Sequence, residues 1–181
     1  MPTSSSYKRM KVVVNDTNIF IDLYESGLLD KLFELPLEIH TVDVLLPELI
    51  KDGQREIVAS YIEKGLIHLH SLSIDEVIAV QDWMDKATGN VSYVDCAVWY
   101  YAHQNCYTLL TGDGQLRRQA EASGVEVHGI LYLLDLIADY GIIPKYKLAD
   151  KLRDQMARNS RLPRGECLAR ITKWRQHPNQ C

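Results

Sequence analysis

Four acidic side chains stand where carboxylates do hydrolytic work: Asp16, Glu48, Asp95 and Asp113. Asp16 closes the run Val12-Val13-Val14-Asn15-Asp16, and Asp113 closes Leu109-Leu110-Thr111-Gly112-Asp113. Both runs read as buried strands. If the two strands are parallel, the two acids share one rim. Asp95 falls in the first turn of a helix opened by Ser92, and Glu48 in a short helix after a second strand. Helices that follow parallel strands begin on that same rim. Each acid alone has an ordinary structural explanation. Asp16 and Asp113 suit helix N-caps, Asp95 pairs with Ser92 as in a capping box, and Glu48 suits a solvated helix face. Together the four repel one another unless a cation offsets them. Hard divalent cations such as Mg²⁺ or Mn²⁺ choose oxygen-only sites of this kind.

Other chemistries find little footing. There is no GxxxxGK[ST] phosphate loop and no GxSxG elbow. Gly112-Asp113-Gly114 is too short for a dinucleotide fingerprint. His68 and His70 share one face of a strand, with no Cys or Asp ligand near them in sequence, and read as structural. Cys96 falls on a buried helix face and reads as packing. A phosphatase or phosphotransfer domain also uses an Asp at the end of its first strand. Asp16-Thr17-Asn18 supplies only the first acid of DxDxT, and Asn15-Asp16 lacks the paired acids of a receiver domain.

The elements that must position these acids alternate between two periods. Strands are predicted at Met10–Asn15, Glu38–Thr41, Leu66–His70, Tyr107–Thr111 and Val125–His128. Helices are predicted from Ile19, around Leu28–Phe33, at Val44–Leu49 and Gln54–Lys64 with a break near Lys51-Asp52-Gly53, and over Ile74–Lys86, Ser92–Gln104 and Gln115–Ser123. Three more follow, at Leu131–Tyr140, Lys145–Arg158 and Arg164–Gln176, the last two separated by Leu162-Pro163. Strands alternating with helices imply a mostly parallel sheet covered on both faces, with ligands beyond the carboxyl ends of its strands.

At 181 residues, 46% hydrophobic and 24% charged, the chain is long enough to bury one core without disulfides. The net charge of −4 conceals a split: residues 1–143 hold 10 Lys/Arg against 21 Asp/Glu, and residues 144–181 hold 10 against 3. A basic tail on an acidic body suits either a polyanion partner or packing of tail on body. The most apolar stretch, Gly129 to Ile143, is interrupted by Asp135 and Asp139 and falls short of a membrane span. The four cysteines form no CxxC, and no signal-peptide core precedes the first strand, so a reduced, cytoplasmic protein is expected.

The acidic runs resemble those of PIN-domain metal-dependent ribonucleases, especially VapC-type toxins of toxin–antitoxin modules. The residues that carry the resemblance are Val12 through Leu23, Val42-Asp43-Val44-Leu45-Leu46-Pro47-Glu48-Leu49, Val91-Ser92-Tyr93-Val94-Asp95-Cys96-Ala97, and Leu109 through Arg117. Their order matches over roughly residues 10–130. The resemblance implies a three-layer α/β/α sandwich with a five-stranded, mostly parallel sheet as residues 1–143, plus C-terminal helices as a basic extension over 144–181. It implies catalysis by Asp16, Glu48, Asp95 and Asp113, with Asp16, Asp95 and Asp113 around Mg²⁺ or Mn²⁺. Thr17, Asn18 and Thr111 would orient carboxylates or a metal-bound water. Gly114 stands where many relatives carry a further acid. Arg117, Arg118, Arg161 and Arg164 are candidate RNA-phosphate contacts. RNA as substrate, an antitoxin partner, a homodimer built on apolar faces around Tyr24–Phe33 and Ile57–Ile62, and no membrane are expected. A PIN fold that binds RNA or protein without turnover, or a Mg²⁺-dependent phosphatase, are the alternatives.

Overall fold

In a computed structural model, which describes residues 10–176 apart from residue 52, five parallel strands form one sheet in the order β3-β2-β1-β4-β5. Strand β1 is Lys11–Asn15, β2 Leu37–Val42, β3 Ile67–His70, β4 Thr108–Leu110 and β5 Val127–His128. The helices are α1 (Thr17–Glu25), α2 (Gln54–Glu63), α3 (Ile74–Lys86), α4 (Tyr93–Asn105), α5 (Gly114–Ala122), α6 (Ile130–Asp139), α7 (Lys145–Arg158) and α8 (Arg164–Gln176). The outer bounds of the expected 1–143 and 144–181 units, Cys181 and Asp52 lie outside the described residues.

The sheet is central because β1 is buried on both sides. Val13 and Val14 are fully enclosed, as are Leu109 and Leu110 of the neighbouring β4. Helix α4 packs on β1, β2 and β4 and against α3 and α5, while α1 contacts α6 across the other layer. The result is a three-layer α/β/α sandwich. Buried residues run round most of α4 (Cys96, Ala97, Val98, Trp99, Tyr101, Ala102), as expected of a helix enclosed by the sheet and two neighbours. Cys96 is packing, as its surroundings in sequence suggested.

The departures from the sequence reading have local causes. The expected helix at Val44–Leu49 is a 3₁₀ segment, Asp43–Glu48, containing Pro47, which has no N–H to give an α-helical ladder. The one around Leu28–Phe33 is likewise 3₁₀, over Asp30–Glu34. Strands β3 and β5 start one and two residues late, because the Leu66 and Val125 amides close the preceding helices on Tyr61 and Ala120 carbonyls.

Helices α7 and α8 pack on each other, and α7 also packs on α6. Leu148, Leu152, Cys167, Ile171 and Trp174 are buried there. Arg170 clamps Asp135 of α6 with both guanidinium arms, at 2.7 and 3.0 Å. Lys151 reaches the Ser26 carbonyl at 2.7 Å. Two of the tail's cations are therefore committed to the body, while Arg175 pairs with Asp150 within the tail.

Candidate active site

The carboxyl ends of β1 and β4 are stitched together where the chain turns into α1 and α5. The Asp16 amide donates to the Leu110 carbonyl at 3.0 Å, which carries the β1–β4 pairing one residue past the strand. Asp16 itself caps α1, with its Oδ1 accepting from the Thr17 amide at 2.6 Å. Its Oδ2 accepts from the Thr111 hydroxyl at 2.8 Å and from Asn18 Nδ2 at 3.3 Å. The same Thr111 Oγ1 accepts from the Asp113 amide at 3.0 Å, so one hydroxyl spans two of the expected acids. Asp113 caps α5 through the Gln115 and Leu116 amides, at 2.7 and 2.8 Å.

Asp95 closes a capping box at the start of α4, giving an acceptor to the Ser92 amide at 2.9 Å while its own amide donates to Ser92 Oγ at 3.1 Å. Glu48 ends the 3₁₀ segment and accepts from Thr17 Oγ1 at 2.6 Å. Thr17 thereby links Glu48 to the residue beside Asp16. Asp16, Asp95 and Asp113 therefore have the helix-capping roles that their places in the sequence suggest. Three helix N-termini meet at one rim, and their dipoles favour the negative charge gathered there.

Asp16 is 1% exposed, and its pKa is pushed up to about 6. Burial is the main cause, the Thr111 hydrogen bond works against it, and the nearby Asp95 charge raises it further. A buried carboxylate facing a like charge is the electrostatic condition that a cation relieves. The donor set is all oxygen, which fits Mg²⁺ or Mn²⁺. The Asp95 charge acts on Asp16, but among the described residues the rim acids do not bring three ligand atoms within 4.8 Å of one another, as Glu38, His40 and His68 do.

The proposed phosphate contacts divide. Arg117 is turned inward, to the Val127 carbonyl at 3.2 Å and the Thr111 carbonyl at 3.5 Å. Arg161 sits in the turn between α7 and α8 and donates to Asn18 Oδ1 at 3.3 Å. Arg118 and Arg164 are exposed. Beside Arg161, Asn159 donates to both oxygens of Asp22, at 3.2 and 3.3 Å. Burial raises the Asp22 pKa, and the Asn159 hydrogen bond and Arg161 charge oppose that rise. A cleft of about 560 Å³ lies beside this turn, lined among others by Thr111, Gly112, Arg117, Tyr132 and Arg161; Asp16, Glu48, Asp95 and Asp113 are not part of its lining. Asn159, Asp22 and Tyr132 were not singled out in the sequence. Contacts 137 positions apart leave no local spacing to read, and only the charge split pointed towards them.

Residues 12–174 match the model of the DUF3368 family, described as a PIN domain, a span that includes α7 and most of α8. Among solved structures, a PilT N-terminus domain protein from Sulfolobus solfataricus is 16% identical, with TM-score 0.46, covering 68% of this chain and 91% of that one. VapC20 of Mycobacterium tuberculosis, a toxin described as cleaving the sarcin–ricin loop, is 15% identical, with TM-score 0.49, covering 59% and 94%. The PIN domain endonuclease Utp24 is 18% identical, with TM-score 0.45, covering 68% and 88%. No curated protein matches the chain.

Proposed function

Since the chain belongs to the DUF3368 family of PIN domains, we propose that it is a metal-dependent endoribonuclease and the toxin of a toxin–antitoxin pair. The observation that carries the nuclease reading is Asp16. It is buried, raised in pKa, charge-coupled to Asp95 and joined to the Asp113 loop through Thr111. Bound Mg²⁺ or Mn²⁺ would supply polarisation of the phosphate and a water of lowered pKa. The chain's own part is to fix the carboxylates. Thr111 and Asn18 hold Asp16 Oδ2, the α5 amides hold Asp113, Ser92 holds Asp95, and Thr17 holds Glu48. An acidic rim repels phosphate, so cations from Arg161, Arg164, Arg118 and Arg117 are needed beside it. On this reading residues 1–143 are the nuclease unit and 144–181 a basic extension that steadies RNA, with its helix α7 packed on α6.

The toxin role rests on the likeness of the acidic runs to VapC-type sequences and brings an antitoxin as the expected protein partner. Free Cys96, Cys106 and Cys167 suit the reducing cytoplasm. No helix among the described residues is long and apolar enough to cross a membrane. Of the apolar faces expected to pair two copies, Phe33 and Tyr61 instead meet each other, with rings 4.4 Å apart. A homodimer would use the stripe Ile74, Val77 and Ile78 on α3, which is 80%, 42% and 58% exposed. Sedimentation should then show a dimer that Ile78→Asp dissociates. A monomer at micromolar concentration removes that part of the reading.

The deciding experiment incubates the protein with RNA and with a phosphomonoester, with Mg²⁺, with Mn²⁺ and with chelator. Metal-dependent cleavage of RNA alone, lost in Asp16→Asn, is expected. Release of phosphate from the monoester favours the phosphatase reading, and binding of RNA without cleavage favours a silent module.

A further inference from the structure

Away from the rim acids, on the sheet face that α4 covers, a second set of polar side chains converges. Glu38 and His40 lie two residues apart on β2 and so point to the same face. The parallel register sets His40 beside His68 on β3, and their rings stack with centroids 4.8 Å apart. One ligand atom from each of Glu38, His40 and His68 can be chosen so that all three lie within 4.8 Å of one another. His40 Nε2 is 2.9 Å from Glu38 Oε1, and His68 Nε2 is 3.8 Å from that same oxygen. We propose that Glu38, His40 and His68 form a transition-metal site, with Zn²⁺ the fitting ion, that clamps edge strand β3 to β2.

Two imidazoles and a carboxylate make a borderline donor set that suits Zn²⁺ and its neighbours in the first transition row, and suits Mg²⁺ poorly. Tetrahedral Zn²⁺ with bonds of about 2.0–2.1 Å brings its ligand atoms to roughly 3.3 Å from one another. The Glu38 contacts bracket that spacing already. The remaining closure falls to His68, whose side chain is 55% exposed and stacks on the His40 ring.

A separate observation points the same way. His40 is buried, and its other ring nitrogen, Nδ1, lies 2.9 Å from the hydroxyl of Tyr101 on α4. A ligating histidine characteristically donates its second N–H to an oxygen, which fixes the ring and the tautomer. Tyr101 supplies that oxygen and leaves Nε2 facing Glu38 and His68. The exposed His68 side leaves the fourth position open to water. His70 does not join the set, since its Nε2 is taken by Glu76 of α3 at 2.9 Å. Tyr101 lies six residues beyond Asp95, roughly 9 Å further along α4. The two sites are therefore separable by mutation.

The test adds Zn²⁺, Co²⁺ or Mg²⁺ to the metal-free, untagged full chain carrying Asp16→Asn and Asp113→Asn, so that the rim cannot respond. Zn²⁺ should bind at one equivalent by calorimetry and raise Tm, because an ion bound by the native state stabilises it. Mg²⁺ should do neither. Co²⁺ should give the visible absorption of a four-coordinate site. His68→Ala, a change at an exposed position, should abolish the Co²⁺ band and the Zn²⁺-induced rise in Tm, while RNA cleavage by the otherwise unaltered chain with Mg²⁺ stays unchanged. Tyr101→Phe should keep the band and weaken Zn²⁺ about 10–100-fold. Absence of one-equivalent Zn²⁺ binding, or a Zn²⁺ response that survives His68→Ala, overturns the proposal and leaves the nuclease reading untouched.

Discussion

Asp16 serves two ends: it caps α1 and, on the proposed reading, holds a metal, and burial sets those ends in tension. Its raised pKa records a carboxylate kept from water beside the Asp95 charge. Asp95→Asn keeps an oxygen for the Ser92 amide while removing that charge. It should cut metal-dependent RNA cleavage by at least the roughly 10–100-fold that loss of a supporting partner costs, with the metal-free Tm equal or higher. If Asp95 only caps α4, activity survives and stability falls by about 0.5–2 kcal/mol. Activity and Tm measured on one variant decide between these. Thr111→Val removes the hydroxyl that serves both Asp16 and the Asp113 amide. A buried acceptor and donor then lose a partner, at about 1–3 kcal/mol, and cleavage should drop about 10–100-fold. A denaturant midpoint and an initial rate check the pair. The capping positions of Asp16, Asp95 and Asp113 were legible because strand ends and helix starts leave marks in sequence. The bond from Thr17 to Glu48 was not, since it joins residues 31 positions apart.

At the level of elements, the rim exists because three helices start where two strands stop. Ser92 and the two capping aspartates fix those starts, and that is why α4 and α5 were placed within one residue from sequence, and the start of α1 within two. The 3₁₀ segments were not, because their apolar spacing is too short to tell one helical period from another. The end strand β5 was read two residues too long, because only Val127 and His128 pair with β4. What holds that edge is a polar clamp at Glu126. Its carboxylate takes Lys11 at 2.7 Å, His128 at 2.8 Å and Thr108 at 3.0 Å. The Lys11 bond chiefly, with those from His128 and Thr108, pulls its pKa down to about 2. A carboxyl lowered on folding adds stability above its unfolded value of about 4.5 and loses it as pH falls towards 2. Glu126→Gln should therefore lower Tm at pH 6, with the gap to the unaltered chain closing between pH 4.5 and 2. The effect is small, because the side chain is half exposed. A gap that stays constant across that range would show that charge is not what Glu126 contributes.

Across the whole molecule, the charge split of body and tail resolves into two kinds of cation. Arg170 is committed to Asp135, and Lys151 to the Ser26 carbonyl, so they bind the tail to the body. Arg161 and Arg164 are exposed near the turn that borders the cleft, and Arg161 reaches Asn18, itself bonded to Asp16. The sequence showed the excess of charge but not this division, because which cation meets a partner depends on where α7 and α8 fold back. The division has separable consequences. Arg170→Gln should lower stability by about 1 kcal/mol, an amount limited by partial exposure of the pair, and leave the salt dependence of RNA binding unchanged. Changing Arg161 and Arg164 to Gln should leave Tm nearly unchanged and weaken RNA binding. On single-stranded RNA each phosphate contact contributes about 0.7 to the slope of log K against log salt, so losing both should flatten that slope by roughly 1.4. Binding isotherms at several salt concentrations on the cleavage-deficient Asp95→Asn background measure it without turnover. Equal slopes for the double variant and its parent would confine the tail to packing. A slope change in Arg170→Gln alone would mean that the tail holds RNA through its docking on the body rather than through the cations of the turn.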